Sequence, residues 1–172
     1  GQCSGGGVSG CVVRDSLILG NLCQLIAFGT SPSFGGGANL CTLVRCRVLD
    51  NRASFGGGAF GGSTTNCTVA GNLAEAVGGG VLDGSHDSAI VWGNFPPGTI
   101  TGGATFAYSN VQGGAPAGVG NVSEPPRFFG RSSADVQLRA GSPSIATGNP
   151  SLPVDADGSP ADMGALPFDP FW

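Results

Sequence analysis

Apolar and polar positions in the first hundred residues keep a register that recurs along the chain. Ile18, Val48, Val69 and Val91 form a β-branched row, each thirteen residues after the first glycine of a glycine triplet. Two positions earlier lie Ser16, Cys46, Cys67 and Ala89, all small. Between these rows stand Leu17, Arg47, Thr68 and Ile90, a mixed set suited to an outward face. Val8, Ala38, Ala59 and Val81 add another small apolar row, three residues after the triplet start. Alternation with period two predicts strands, not helices.

The triplets begin at Gly5, Gly35, Gly56 and Gly78, spaced 30, 21 and 22 residues apart, and Asn21, Asn51, Asn72 and Asn94 each follow sixteen residues later. The longer first gap reads as a loop insertion, "QLIAFGTSP", after Cys23. A unit this short cannot hold a helix pair but suits one coil of a parallel β-solenoid. The predicted fold is all-β, a short right-handed parallel β-helix of about four to five coils with an irregular proline-rich C-terminal cap. Residues 1–112 are read as coils and 113–172 as terminal strands and cap of the same domain. "RFF" and "DVQLRA" are expected to add final strands, with the remainder folding back.

Stacked coils lie about 4.8 Å apart, so recurring positions become ladders. Glycine triplets supply positive φ and close backbone approach at a corner. Asn21, Asn51, Asn72 and Asn94 can pass amide hydrogen bonds from coil to coil, or serve simply as favoured turn residues. No amphipathic segment stands ahead of the first triplet, so the first coil presents an open edge to another copy or a neighbouring β-helix segment. The chain begins at Gly1 and not Met, which reads as a piece of a longer precursor.

Composition narrows the function. The 172 residues include 33 glycines and 12 prolines but no lysine, and only 10% are charged. With 40% apolar residues, disorder is not expected. A net charge of −4 and scattered arginines give no footprint for nucleic acid. No apolar run is long enough to span a membrane.

Cysteines pair by column. Cys11 with Cys41, and Cys46 with Cys67, occupy equivalent positions of adjacent coils; Cys3 and Cys23 fall near one corner of successive coils. Each pair is a candidate disulfide or a stack of buried thiols. A disulfide would place the chain in an oxidising compartment. Zinc is disfavoured, with no CxxC and His86 the only histidine.

Candidate chemistry is sparse. The coil carboxylates Asp15, Asp50, Glu75, Asp83 and Asp87 show no recurring pair of the glycosidase type. "HDS", His86 to Ser88, holds triad residue types, but adjacent strand residues face opposite sides, so it reads as a turn or strand edge. "DADGSPAD" places Asp155, Asp157 and Asp162 as a candidate calcium loop, which turn chemistry explains equally well. Phe34 and Phe55 should stack on adjacent coils, as corner packing or a sugar platform. Leu19, Leu49, Ala70 and Trp92 form an outward row too apolar for water, which either the C-terminal segment or another subunit covers.

The unit "GGG…NCTVxGNxA" resembles the repeat of bacterial right-handed parallel β-helix proteins, including the polymorphic outer membrane protein repeats. "SAIVWGNFPPGTI", "FAYSNVQGGAPAGVGN" and "LRAGSPSIATGNPSLPVDADGSPADMGA" resemble closing segments of large secreted bacterial β-helix proteins. The resemblance implies a secreted or cell-surface protein and is specific for architecture, weak for activity. The expected function is a non-catalytic extracellular structural or adhesive module, self-associating or joining neighbouring segments, with no cofactor unless calcium. The alternative is a carbohydrate-active domain that binds or cleaves surface polysaccharide.

Overall fold

The computed structural model describes residues 3–23, 32–96, 102–130 and 135–170. The insertion after Cys23 lies almost wholly outside them. Within them the regular structure is all strand, and the strands pair in parallel with their counterparts one coil on. One sheet stacks Val8–Ser9, Ala38–Asn39, Ala59–Phe60 and Val81–Leu82. The second stacks Val12–Arg14, Thr42–Val44, Ser63–Thr65, Ser85–Asp87 and Thr105–Ala107. The third stacks Leu17–Leu19, Arg47–Leu49, Thr68–Ala70, Ile90–Trp92 and Asn110–Val111. Arg52–Phe55 and Leu73–Val77 form a two-stranded ribbon beside them.

This is a parallel β-solenoid of about three full turns, slightly fewer than the coils expected. The rungs are 4–22, 34–52, 55–73 and 77–95, and a fifth, from 105 to 111, contributes to two sheets only. Predicted inward rows meet in the core: Ile18, Val48, Val69 and Val91 pack with Ala38, Ala59, Val81, Cys46 and Cys67. Phe34 stacks on Phe55 with ring centroids 5.4 Å apart, and meets Phe60 edge-on at 4.9 Å.

The chain turns its corners in the left-handed region. The corner rows are Gly10, Leu40, Gly61 and Asp83, then Asp15, Arg45, Asn66, Ser88 and Tyr108, then Gly20, Asp50, Gly71 and Gly93, all with φ between 47° and 70°. The triplets divide their labour. Their first glycines have φ of 62° to 74°. The second and third are needed for space: a Cβ on Gly36 would sit 2.2 Å from the Gly57 oxygen, and one on Gly37 2.7 Å from the Gly58 oxygen.

The C-terminal segment covers the outward apolar row from Leu49 onward, leaving Leu19 exposed. Leu49 and Ala70 are buried against Val136, Phe128 and Leu166, and Ile90 and Trp92 against Leu138, Met163 and Phe168. Ala165 N–H donates to Thr68 Oγ1 at 3.0 Å and Gly164 N–H to the Ser88 oxygen at 2.8 Å, fastening the segment along the flank. "RFF" and "DVQLRA" lie outside the parallel coils. They pair with each other through an antiparallel Phe128–Leu138 bridge, because their apolar residues serve the flank of the third sheet.

Candidate functional site

The asparagine row is a continuous ladder. Asn21 donates its backbone N–H and Nδ2 to Asn51 Oδ1, both at 2.9 Å. Asn51 does the same to Asn72 Oδ1, and Asn72 to Asn94 Oδ1, again at 2.9 Å. The remaining Nδ2 hydrogen reaches back one rung, from Asn51 to the Ile18 oxygen, Asn72 to Val48 and Asn94 to Val69, at 2.8 to 2.9 Å. The ladder therefore has a direction: each Oδ1 accepts from the preceding rung. Asn51 and Asn72 are fully buried.

That direction leaves the two ends unlike. Among the described residues nothing donates to Asn21 Oδ1, and Val8–Ser9, Val12–Arg14 and Leu17–Leu19 are edge strands paired on one side only. In the second rung, the Thr42, Arg47 and Arg52 N–H groups donate to the Cys11, Ser16 and Asn21 carbonyls. Their counterparts on the first rung, Val12, Leu17 and Leu22, aim away from the stack. Their side chains are exposed too: Val12 62%, Leu17 43%, Leu22 55%, and Leu19 44% where the stacked Leu49 is 0%. At the far end the third sheet is capped, while Val81–Leu82 and Thr105–Ala107 are the last strands of their sheets. Val122 N–H donates to the Ser109 oxygen at 2.9 Å and Val111 N–H to the Val122 oxygen at 3.0 Å. Asn121 accepts from Ser109 N–H at 3.0 Å and donates to the Phe106 oxygen at 2.9 Å.

Cys3 and Cys23 form a disulfide, with Cα atoms 5.6 Å apart. The other two pairs are stacked thiols. Cys11 and Cys41 sulfurs lie 3.7 Å apart, and the Cys41 thiol raises the pKa of Cys11. Cys67 Sγ accepts the Cys46 N–H at 3.4 Å, and the Cys46 sulfur together with burial pushes the Cys67 thiol up. Alkylation of the native protein is expected to modify Cys11 alone, the one exposed thiol. Unfolding should add Cys41, Cys46 and Cys67, and Cys3 and Cys23 should follow only after reduction. Native labelling of Cys46 or Cys67, read by peptide mass, would contradict this packing.

The acidic loop uses its oxygens internally. Asp155 Oδ2 accepts the Asp162 N–H at 2.9 Å, and Asp157 Oδ1 the N–H and hydroxyl of Ser159 at 2.9 and 2.6 Å. Asp162 caps the Ala146 and Phe168 N–H groups at 2.6 Å each. These are turn and anchor contacts. Among the described residues no three His, Cys, Asp or Glu side chains group as metal ligands.

His86 is not at a turn or strand edge. It sits mid-strand in the inward column of Leu43, Thr64 and Phe106, 2% exposed. Nδ1 lies 2.9 Å from Thr64 Oγ1, Nε2 3.1 Å from the Asp83 oxygen, and its ring 4.8 Å from Phe106. Burial lowers its pKa from 6.5 to about 4. Its stabilising contribution is whole above pH 6.5, where both folded and unfolded chains hold it neutral. It is lost as pH falls, because the unfolded chain takes a proton first. The loss should reach on the order of 2–3 kcal/mol by about pH 4.5. Urea unfolding should show this slope in the native chain and not in His86→Phe; equal slopes would contradict a neutral buried imidazole.

The coil carboxylates stay apart. Asp15 pairs with Arg45 and Glu75 with Arg52, both exposed, and the Arg45 guanidinium lowers the Asp15 pKa. Asp83 accepts the Gly103 N–H, and Asp87 holds Ser88 and Asn149. The second sheet carries one row not foreseen from the sequence: Thr42, Ser63, Ser85 and Thr105 stack in register on its outer face. Only Ser63 and Thr42 are close enough to share a hydrogen bond, at 3.4 Å.

No protein-family model, curated protein or solved structure matches the chain.

Proposed function

We propose that this chain is a non-catalytic extracellular structural module that joins neighbouring β-helix segments through its open first rung. The observation that carries this reading is the inequality of the two ends. At the far end residues 119–122 cap the third sheet, while the first rung keeps unpaired strand edges on all three sheets, exposed leucines and an Asn21 Oδ1 without a donor among the described residues. A free edge of this kind recruits strands unless it is covered. The extracellular placement rests on the Cys3–Cys23 disulfide and on the resemblance to secreted bacterial β-helix proteins. Head-to-tail growth of copies into a fibre would need the third-sheet edge at the far end, which Val122 occupies.

In a solenoid, stability grows with each nearest-neighbour interface. Joining one more repeat, a copy of the residue 56–77 sequence, ahead of the full chain should raise the unfolding midpoint and protect the Val12, Leu17 and Leu22 amides from exchange. An extended chain no more stable than the parent, with those amides still exchanging freely, would sink the reading.

Polysaccharide binding is a second reading, favoured by the outward hydroxyl row Thr42, Ser63, Ser85 and Thr105. Co-sedimentation with insoluble polysaccharides checks it: binding that Ser85→Lys abolishes is expected, and no binding removes it.

A further inference from the structure

Cys11 and Cys41 stand at the corner between the first and second sheets, and the strands on either side fix their register. Val8–Ser9 pairs with Ala38–Asn39 before the corner, and Val12–Arg14 with Thr42–Val44 after it. Gly10 N–H donates to the Asn39 oxygen and Thr42 N–H to the Cys11 oxygen, both at 2.9 Å. Stacking of these two rungs brings the sulfurs to 3.7 Å, in contact. Further along the column stand Gly62 and Gly84, and a Cβ on Gly62 would sit 2.1 Å from the Cys41 oxygen. Cys11 is therefore the one side chain in the column that Cys41 can meet.

The neighbouring pair is held differently. Cys46 Sγ shares its hydrogen between the Val13 and Val44 oxygens at 3.5 and 3.3 Å. Cys67 Sγ donates to the Thr65 oxygen at 3.3 Å while accepting the Cys46 N–H. Both are fully buried, so backbone groups engage these sulfurs and no reagent reaches them. Cys11 is exposed, with Cys41 buried beside it.

We propose that Cys11 and Cys41 form an oxidation site, which closes to a cross-rung disulfide by exchange with a small-molecule disulfide. The Cys11 thiolate attacks one sulfur of the reagent, whose S–S bond breaks and releases one thiol. The Cys41 thiolate then attacks the Cys11 sulfur of the mixed disulfide and expels the second thiol. Two cysteine thiols are oxidised, one reagent disulfide is reduced to two thiols, and the two cysteine protons end on those thiols. Closure draws the sulfurs from 3.7 Å to about 2.05 Å, a convergence shared by rotation of both side chains. Equivalent positions of stacked rungs lie about 4.8 Å apart, inside the Cα range that a disulfide spans. Cys3–Cys23 joins the start of the first rung to its end. The new bond joins the first rung to the second.

The test treats the intact protein, with Cys3–Cys23 closed, with oxidised glutathione at about pH 9. The alkaline pH is chosen because contact with Cys41 raises the Cys11 pKa. Free thiols are then alkylated in denaturant, and the peptides are read by mass. The expected product is a linked peptide pair containing Cys11 and Cys41, with Cys46 and Cys67 alkylated. Its unfolding midpoint should rise by on the order of 5 °C, and closure without a rise would overturn the tie between rungs. Cys41→Ser should stop at the glutathione adduct on Cys11, whereas Cys46→Ser should still close. A glutathione adduct that persists on Cys11 of the native chain would overturn the proposal. So would Cys11 and Cys41 both left free, or a Cys11–Cys11 bond between two molecules. The native product is read without any variant, so a Cys41→Ser chain that fails to fold leaves the result decisive.

Discussion

Gly57→Ala is expected to cost about 3 kcal/mol or more, enough to leave the solenoid largely unfolded. A Cβ there would lie 2.4 Å from both the carbonyl carbon and oxygen of Leu73 and 2.5 Å from the Gly79 oxygen. The Leu73 atoms lie on Gly57's own rung and the Gly79 oxygen on the next, so relief requires the corner to open as well as two rungs to separate, and separation breaks the ladders on every face at once. Gly20→Ala is the informative control. Gly20 has φ of 66° with nothing within 4 Å of an added Cβ. Its substitution costs only left-handed strain, about 1 kcal/mol. Urea unfolding of the two variants separates space from conformation. Similar costs would mean that the rungs do not approach as closely as described.

Asn72→Ala is expected to cost about 3–5 kcal/mol. The substitution strands the Asn51 N–H and one Asn51 Nδ2 hydrogen in an interior without water, and takes one donor each from the Val48 carbonyl and from Asn94 Oδ1, which keeps only the residue 72 N–H. Asn72→Asp restores only the acceptor. It would place a carboxylate against the Val48 and Ala70 oxygens and Asn94 Oδ1, so it should be at least as damaging. Asn21→Ala, at the open end, removes the one Nδ2 donor to Asn51 Oδ1, which keeps the residue 21 N–H, and should cost about 1 kcal/mol. Equal losses at Asn21 and Asn72 in equilibrium unfolding would contradict a ladder whose interior members serve two neighbours.

The coils were legible because each inward row repeats in one register, and Ile18, Val48, Val69 and Val91 stack as the spacing indicates. The asparagine row was legible for the same reason. His86 was not: its column reads Val13, Leu43, Thr64, His86 and Phe106, and two polar members break the apolar signal that marks an inside position. Nor were the corners at Leu40, Arg45 and Asp50, whose side chains do not advertise positive φ and which take it because the rungs on either side fix the turn. The triplets were read as supplying both positive φ and close backbone approach, and the stacked coils show how these divide, the first glycine taking the φ and the second and third the space beneath a neighbouring carbonyl. The sequence left open whether the C-terminal segment or another subunit covers the apolar row; Phe128, Val136 and Leu138 answer to the flank formed by Leu49, Ala70 and Ile90, and no sequence period records that contact.

Residue-resolved hydrogen exchange of the native chain tests most directly the claim that one end is open on all three sheets while the other is capped on the third. The amides of Asn51, Asn72 and Val122 should exchange only on global unfolding, while those of Val12, Leu17 and Leu22 exchange freely at the uncovered edge. Protection of the first-rung amides equal to that of the inner rungs would contradict an open edge, and the function proposed for it.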